Sequence, residues 1–535
     1  MGKDLKIKLS YVLTVLCGCL LIFVFFKILF LSGNIITISV MYDIGNEVRD
    51  FVSYRLTRYI LEGKNPYRLD QFSESPVPFL LLYTGLNPFL SAGISKITGF
   101  SITTGYYIGN ILLLLLTAVN IWIIIKDIIP DMKPFVFLCT LINTCTFFSF
   151  LGMPIFNFHT DSIGIFVTSL IILVINKNKN QTLLLSVLTV MLIFTKQILI
   201  ILALPVFLFY LFYGENKLAF RYLMECMICG LITIFLVQWL FPLYWTETIF
   251  AQFIVSKTYG SFSDAIWNII HFYYRYFMDG ILILISIIIL IKNQKNLSII
   301  SAFREISKHH QFIVYLSLNL TIGTLFLLYF AKCDGDGYKY CQDLLALSLY
   351  LITVFFWYRI FGSEFSHSCN TGMFYRFLAA ALAVSAVINY SHFETVYYTK
   401  DDVHALMELE SDINTFKGEM MYLGLNSTQY IISNDLWDHA GIDFNDGQIG
   451  YFIKDYPQNE WLKALFFSDE IKSAAKAYVN RVNQKTADQQ YSLITTCLDS
   501  LINPEILRAN YYPFKTYGIK TEANGIYDVT LWLPR

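Results

Sequence analysis

The sequence is short of charge. Asp, Glu, Lys and Arg make up 15% of its 535 residues, against about 25% in a soluble domain. With 56% hydrophobic residues and a mean hydropathy of +0.52, that scarcity excludes an ordinary water-soluble globule. No sign of charge dominates either: the net charge is −1, so there is no basic field for nucleic acid. A glycine-rich phosphate loop, a serine elbow and a nucleotide-binding pattern are all missing. A donor held as a soluble nucleotide sugar in a sheet-type site is thereby disfavoured. Zinc spacing is missing too. Of the ten cysteines, Cys17, Cys19, Cys226 and Cys229 sit inside apolar segments with no His or acid beside them, as small packing residues. Cys333 and Cys341 flank one polar loop, and a disulfide between them requires that loop to face an oxidising compartment.

What is abundant is long apolar runs, and they read as a polytopic membrane protein. Tyr11–Leu31, behind the basic start MGKDLKIK, is a retained first span with its N-terminus inside. Residues 79–97 are broken by Gly85, Asn87-Pro88 and Gly93 and read as a short helix embedded in the outer leaflet. Spans follow at 102–125, 135–151 and 162–175. Thr182–Leu211 reads as two short spans, up and down, with Thr195-Lys196-Gln197 between them. Further spans fall at 218–241, 280–291, 311–331, 344–357 and 377–390, with 242–278 a second large outer loop. This gives about eleven spans and keeps most basic short loops inside. Counting residues 79–97 as a crossing inverts every later loop.

From about His392 polar residues become frequent and nothing is long enough to span. Gln429–Ser433 and Tyr527–Leu533 read as strands, Asp401–Lys417 and Asp469–Val482 as helices. The expected fold is therefore mainly α, a membrane domain over residues 1–393 with a first outer loop at 33–102. Residues 394–535 form a soluble α/β domain on the outer side, about 140 residues and a normal domain size.

The unusual polar residues fall on the outer side of this topology. In MYDIGNEVRDFVSYRLTRYILEGKNPY (41–67), Asp43, Glu47, Asp50, Tyr54 and Arg58 share one helical face, ended by Gly63 and an Asn65-Pro66-Tyr67 turn. A solvated surface helix is the plain alternative. His159 and Asp161 stand two apart, a poor metal pair, and fit equally a cap on the next helix. Lys196 is a lone ammonium mid-segment. It must pair with an acid of another helix, or meet an anion or a wet cavity. The 332–343 loop carries Lys332, Asp334, Asp336 and Lys339; its glycines suit a tight turn and its lysines a phosphate.

In order, these motifs resemble GT-C superfamily glycosyltransferases. Asp50-Phe-Val-Ser-Tyr54 with Glu62-Gly63-Lys-Asn65-Pro66-Tyr67 resembles their first outer loop, and Leu86-Asn87-Pro88-Phe89 with Gly99 the next short helix. Asp161 looks like the second-loop acid, Phe194-Thr195-Lys196 like the Thr-Lys that follows. Tyr338-Lys339-Tyr340 is similar to the Arg-Tyr before a late span, with Lys where Arg is usual. The resemblance covers roughly residues 10–395 and does not reach the C-terminal domain.

The resemblance implies transfer of a sugar from a polyprenyl-phosphate donor to a glycan, lipid-linked glycan or protein on the extracytoplasmic face. The setting would be a bacterial inner membrane, with membrane lipids as the other partner. Asp50 would be the base, with Asp43 and then Glu47 behind it. Lys196 and Lys339, supported by Arg58, would hold the donor phosphate. Tyr54, Tyr67, His159, Asp161 and Tyr340 would line the pocket. Direct attack would invert the anomeric centre. If a divalent metal (Mg or Mn) takes part, Asp50 and Asp161 are its expected ligands. A flippase or transporter would need charge through the spans and inverted repeats, which the sequence lacks. A polymerase of another fold would not need the Gly-x-x-Pro-Tyr order, and a non-catalytic scaffold would merely display the C-terminal domain.

Overall fold

The computed structural model describes residues 19, 50–65, 67, 85–128, 161–245, 248, 261–275, 311–332, 340–358, 400–423, 440–443, 469–496, 502–521 and 525–535. The spans expected at 11–31, 135–151 and 377–390 lie outside them apart from Cys19. So do Asp43, Glu47, His159, Cys333, Lys339 and the strand expected at 429–433.

Among the described residues four helices are long and apolar enough to cross a membrane. They are α3 (Ile102–Ile128), α4 (Asp161–Asn178), α7 (Asn216–Leu240) and α9 (Gln311–Phe330). The 27 residues of α3 rise about 40 Å, more than a hydrocarbon core of about 30 Å. Helix α1 (Asp50–Leu61) and helix α2 (Leu86–Thr98) precede it. At 13 residues α2 is too short to cross, as its Pro and Gly interruptions foretold. It runs antiparallel beside the first half of α3. Asn87 Nδ2 meets Asn110 Oδ1 at 3.4 Å at one end, and Ser95 Oγ donates to the Ser101 carbonyl at 3.3 Å at the other. The approach is close because Gly105 has no side chain: a Cβ there would lie 2.4 Å from Ser95 Oγ.

The segment expected to go up and down does so. Helix α5 (Thr182–Ile193) stops at Phe194-Thr195-Lys196, and a 3-10 turn (Gln197–Leu202) leads into α6 (Ala203–Phe212). Tyr210 donates to the Lys179 carbonyl, and Lys179 pairs with Glu215, so the hairpin begins and ends at one level. At the same level Lys177 lies 2.6 Å from Asp127, and Asn176 donates to Asp127 at 2.8 Å. The loops between α3 and α7 thus bring their charges to a common end of the bundle, and the tip of the hairpin points to the opposite end. With native cysteines replaced, Lys64→Cys and Lys217→Cys should label from opposite sides of the membrane, Lys64→Cys from outside. Labelling of both from one side overturns this arrangement.

One expectation needs correction. The span expected at 280–291 lies outside the described residues, and residues 242–278 are expected as an outer loop. Instead α8 (Phe262–Arg275) already packs along α9. Asn268 donates to the Ala331 carbonyl at 2.9 Å, and Tyr273 meets Thr324 at 2.8 Å. Its polar Asn268 and Tyr273 hid the segment from a hydropathy reading, because both spend their polar atoms on α9. Next, a π turn (Gln342–Ala346) opens α10 (Leu347–Tyr358). Cys341 is a buried free thiol, so no Cys333–Cys341 disulfide is present.

The C-terminal layer is α/β. Among the described residues its strands are β1 (Met420–Leu423), β2 (Ala440–Asp443), β3 (Leu493–Thr496), β4 (Tyr511–Thr521) and β5 (Gly525–Pro534), in the order β2-β1-β3-β5-β4. β1 pairs parallel with β2 and β3, while β5 runs antiparallel between β3 and β4. The expected strand 527–533 lies within β5, and the two expected helices are α11 (Lys400–Ile413) and α12 (Asp469–Ala487). A short α13 (Pro504–Asn510) precedes β4. Lys515 of β4 reaches Asp412 of α11 at 2.6 Å and Glu408 at 3.0 Å. Hydrogen bonds from Lys515, then Tyr517, hold the Asp412 carboxyl below the usual carboxylate range. A single apolar cluster contains Tyr54, Leu56 and Tyr59 of α1 with Leu409, Ile413 and Met420 of this layer. The sheet layer therefore sits at the same end of the bundle as α1.

Candidate active site

Asp50 is the first residue of α1. That helix is not a solvated surface rod. Ser53, Tyr54, Leu56, Thr57 and Tyr59 are buried, and Tyr106 of α3 bonds the Thr57 hydroxyl at 2.5 Å and the Ser53 carbonyl at 2.8 Å. A helix tied to a span by its middle holds its first residue, Asp50, at a fixed level. Arg58 lies one turn before Glu62 and bonds it at 3.1 Å, and Lys64 lies 3.2 Å from the same carboxylate.

The turn after α1 is fastened to the C-terminal end of α7. Asn65 accepts from the Tyr67 amide at 3.0 Å and donates to the Leu240 carbonyl at 2.8 Å; the Leu243 amide donates to the Tyr67 carbonyl at 3.0 Å. Tyr67 is wholly buried. Its ring packs edge-on against Phe241 at 5.6 Å and Tyr244 at 5.0 Å, and Phe194 lies 5.8 Å from Tyr244. This aromatic chain connects the Asn-Pro-Tyr turn to the tip of the α5–α6 hairpin. Tyr54, 7% exposed, is likewise packed in. Both tyrosines are packing residues of this aromatic cluster.

At the hairpin tip Lys196 is extended, with φ −146 and ψ 121, and Gln197 is pinned by donating to the Thr248 carbonyl at 2.6 Å. Extension aims the ammonium at two helix starts. It lies 3.0 Å from Asp161 Oδ1, in the first turn of α4, and pairs closely with Asp343 in the π turn. Tyr340 presents its ring face with the centroid 5.1 Å from Nζ. The three charged side chains are 13%, 11% and 8% exposed. The lysine thus resolves as an ion pair with acids of two other helices. Desolvated charges at this depth are retained only where each is paired.

Of the residues singled out from the sequence, Asp161, Lys196 and Tyr340 converge here, and the aromatic chain joins them to Tyr67. Asp50 and Arg58 sit on α1 at the same end. Asp343 went unnoticed. Its signal was an acid opening an apolar run, the same pattern that marked Asp161. Among the described residues no three His, Cys, Asp or Glu groups cluster as metal ligands, and Lys196 already occupies Asp161. The Mg or Mn site expected on Asp50 and Asp161 involves the Asp50 side chain, which lies outside the described side chains.

No family model matches the sequence, and no curated protein matches it. The architecture does have a counterpart among solved structures, in ArnT from Cupriavidus metallidurans bound to undecaprenyl phosphate. The match has a TM-score of 0.50 and 10% identity and covers 94% of this chain and 97% of ArnT. The fold is that of ArnT. ArnT is a GT-C glycosyltransferase, so the GT-C resemblance of the sequence motifs and the three-dimensional likeness agree on the fold. Coverage of 94% takes in most of the residues after 393 as well, so the ArnT likeness extends into the C-terminal layer, where the sequence resemblance stopped.

Proposed function

We propose that the chain is an integral-membrane glycosyltransferase that takes a sugar from a polyprenyl-phosphate donor. It transfers that sugar to a glycan, lipid-linked glycan or protein acceptor at the extracytoplasmic face. The observation that carries this reading is the meeting of Asp161, Lys196 and Tyr340 at one end of an ArnT-like bundle, the end that also holds α1. The bound undecaprenyl phosphate of ArnT supports the choice of lipid carrier.

The proposed chemistry uses the residues in two groups. The acceptor hydroxyl attacks the anomeric carbon. A new C–O bond forms as the bond to the phosphate oxygen breaks, and inversion follows from direct attack. Asp50 removes the hydroxyl proton, with Asp43 and Glu47 as the other carboxylates of that stretch. The electron pair leaves with the lipid phosphate, whose charge Lys196 and Lys339 neutralise, with Arg58 in support. Asp161 borders the same end, and His159 is assigned to the lining beside it by its place two residues earlier in the chain. No step passes through a metal.

Membranes containing the chain should release label from a polyprenyl-phosphate sugar into an acceptor fraction, and membranes without it should not. Surface glycans from cells with and without the chain, compared by mass spectrometry, identify the sugar and acceptor. A donor left intact with movement of whole lipid-linked glycan across the bilayer would mean a flippase instead.

A further inference from the structure

Lys196 sits where the regular helix has been given up. The Thr195 and Lys196 amides both donate to the Leu192 carbonyl, at 3.1 Å and 3.0 Å, and the chain turns again when the Leu199 amide donates to the Lys196 carbonyl at 2.9 Å. Between these bonds Lys196 is extended, and its own turn does not fix it. Neighbouring elements do so from two sides. On one side lies α4. Gly164, three residues after Asp161, lets the tip come close: a Cβ there would lie 2.8 Å from Leu199 Cδ1 and 3.5 Å from Thr195 Oγ1. On the other side lies the segment that follows α7, described at 241–245 and 248. Phe194 packs on Tyr244 at 5.8 Å and on Trp245 at 5.9 Å, and Gln197 Nε2 donates to the Thr248 carbonyl at 2.6 Å. Two residues before Lys196 and one after it, the tip is thus fastened to a single short segment.

That segment is itself fixed. Thr248 is buried and donates to the Tyr244 carbonyl at 2.7 Å. Gln238 Nε2 donates to the Pro242 carbonyl at 3.0 Å, and Trp245 Nε1 donates to the Ile234 carbonyl at 3.3 Å, both within α7's own C-terminal stretch. The Leu243 amide and the Tyr244 ring meet Tyr67, which follows α1. A lysine carries its charge on a flexible four-carbon stem, so the place of that charge depends on how firmly its backbone is held. Charge stabilisation of a leaving phosphate in turn depends on a cation already in place. We propose that Gln197 is a positioning residue for Lys196. Its bond to Thr248 ties the backbone beside the ammonium to the braced segment after α7, and so to the turn that follows α1. The cation for the phosphate and the helix that carries Asp50 are then held by one brace. This rests on the reading of Lys196 as a phosphate binder.

The test is binding of radiolabelled undecaprenyl phosphate to the purified full chain in nanodiscs of neutral lipid, with the thermal midpoint measured beside it. Gln197→Met keeps the length of the side chain and loses the N–H donor. It should bind the lipid phosphate roughly tenfold more weakly than wild type, the size of one misaligned charge-assisted hydrogen bond, at an unchanged midpoint. Added to a Lys196→Met, Asp161→Asn, Asp343→Asn variant, the same change should leave the residual binding as it was, because no ammonium remains to be placed. A merely structural Gln197 would weaken binding in both backgrounds alike, and that result overturns the proposal. Wild-type affinity in Gln197→Met overturns it as well and leaves the phosphate reading of Lys196 standing. Absence of binding by wild type itself removes both. If Gln197→Met does not accumulate, Thr248→Val decides the matter. It loses the bond to Tyr244 that holds the accepting carbonyl, so it should also bind more weakly, and unchanged binding there overturns the proposal.

Discussion

Replacement of Lys196 by methionine destabilises the folded chain by about 3–5 kcal/mol, the usual cost of removing one partner from a buried ion pair. The reason is on both sides of the lysine. Asp161 and Asp343 are 11% and 8% exposed, and each is brought to this place by the start of its own helix. Without the ammonium two desolvated carboxylates face each other across a methionine. Adding Asp161→Asn and Asp343→Asn to Lys196→Met removes that repulsion and should restore accumulation in membranes. It should not restore sugar transfer, because the cation that meets the leaving phosphate is still missing. The measurement is the thermal midpoint of the detergent-solubilised chain followed by size-exclusion fluorescence, with transfer assayed in parallel. If the single variant melts like wild type, the trio is not a buried ion cluster. If the triple variant transfers sugar, Lys196 has no part in the reaction.

Asp50→Asn should abolish transfer with the protein still present at normal levels. General bases contribute about 10²–10⁴ in rate, and an amide cannot accept the hydroxyl proton. Folding should be spared, because α1 is held through Thr57, Tyr106 and its apolar face. The readout is turnover with labelled donor at saturating acceptor. Transfer within a few-fold of wild type would take Asp50 out of the mechanism and turn attention to Asp43 or Glu47. A donor that is no longer bound would mean that Asp50 works in binding and not in proton transfer.

The sequence by itself determined which segments enter the lipid. Apolar length and the breaks at Gly85, Asn87-Pro88 and Thr195-Lys196 are local properties, and so α2 and the α5–α6 hairpin were legible before any tertiary contact was known. The start of α8 was not, because Asn268 and Tyr273 look like loop residues until α9 supplies their partners. The resemblance of the first loop marked Tyr67, and only the tertiary structure showed that it is buried against Phe241 and Tyr244.

A lone lysine in an apolar segment announces that an anion must be near it, since an unpaired charge there is too costly. Which anion is near is decided by distance, and distance between Lys196 and an acid 147 residues away exists only after the helices have packed. The tertiary structure therefore decided the partner, its number and the π turn that aims it.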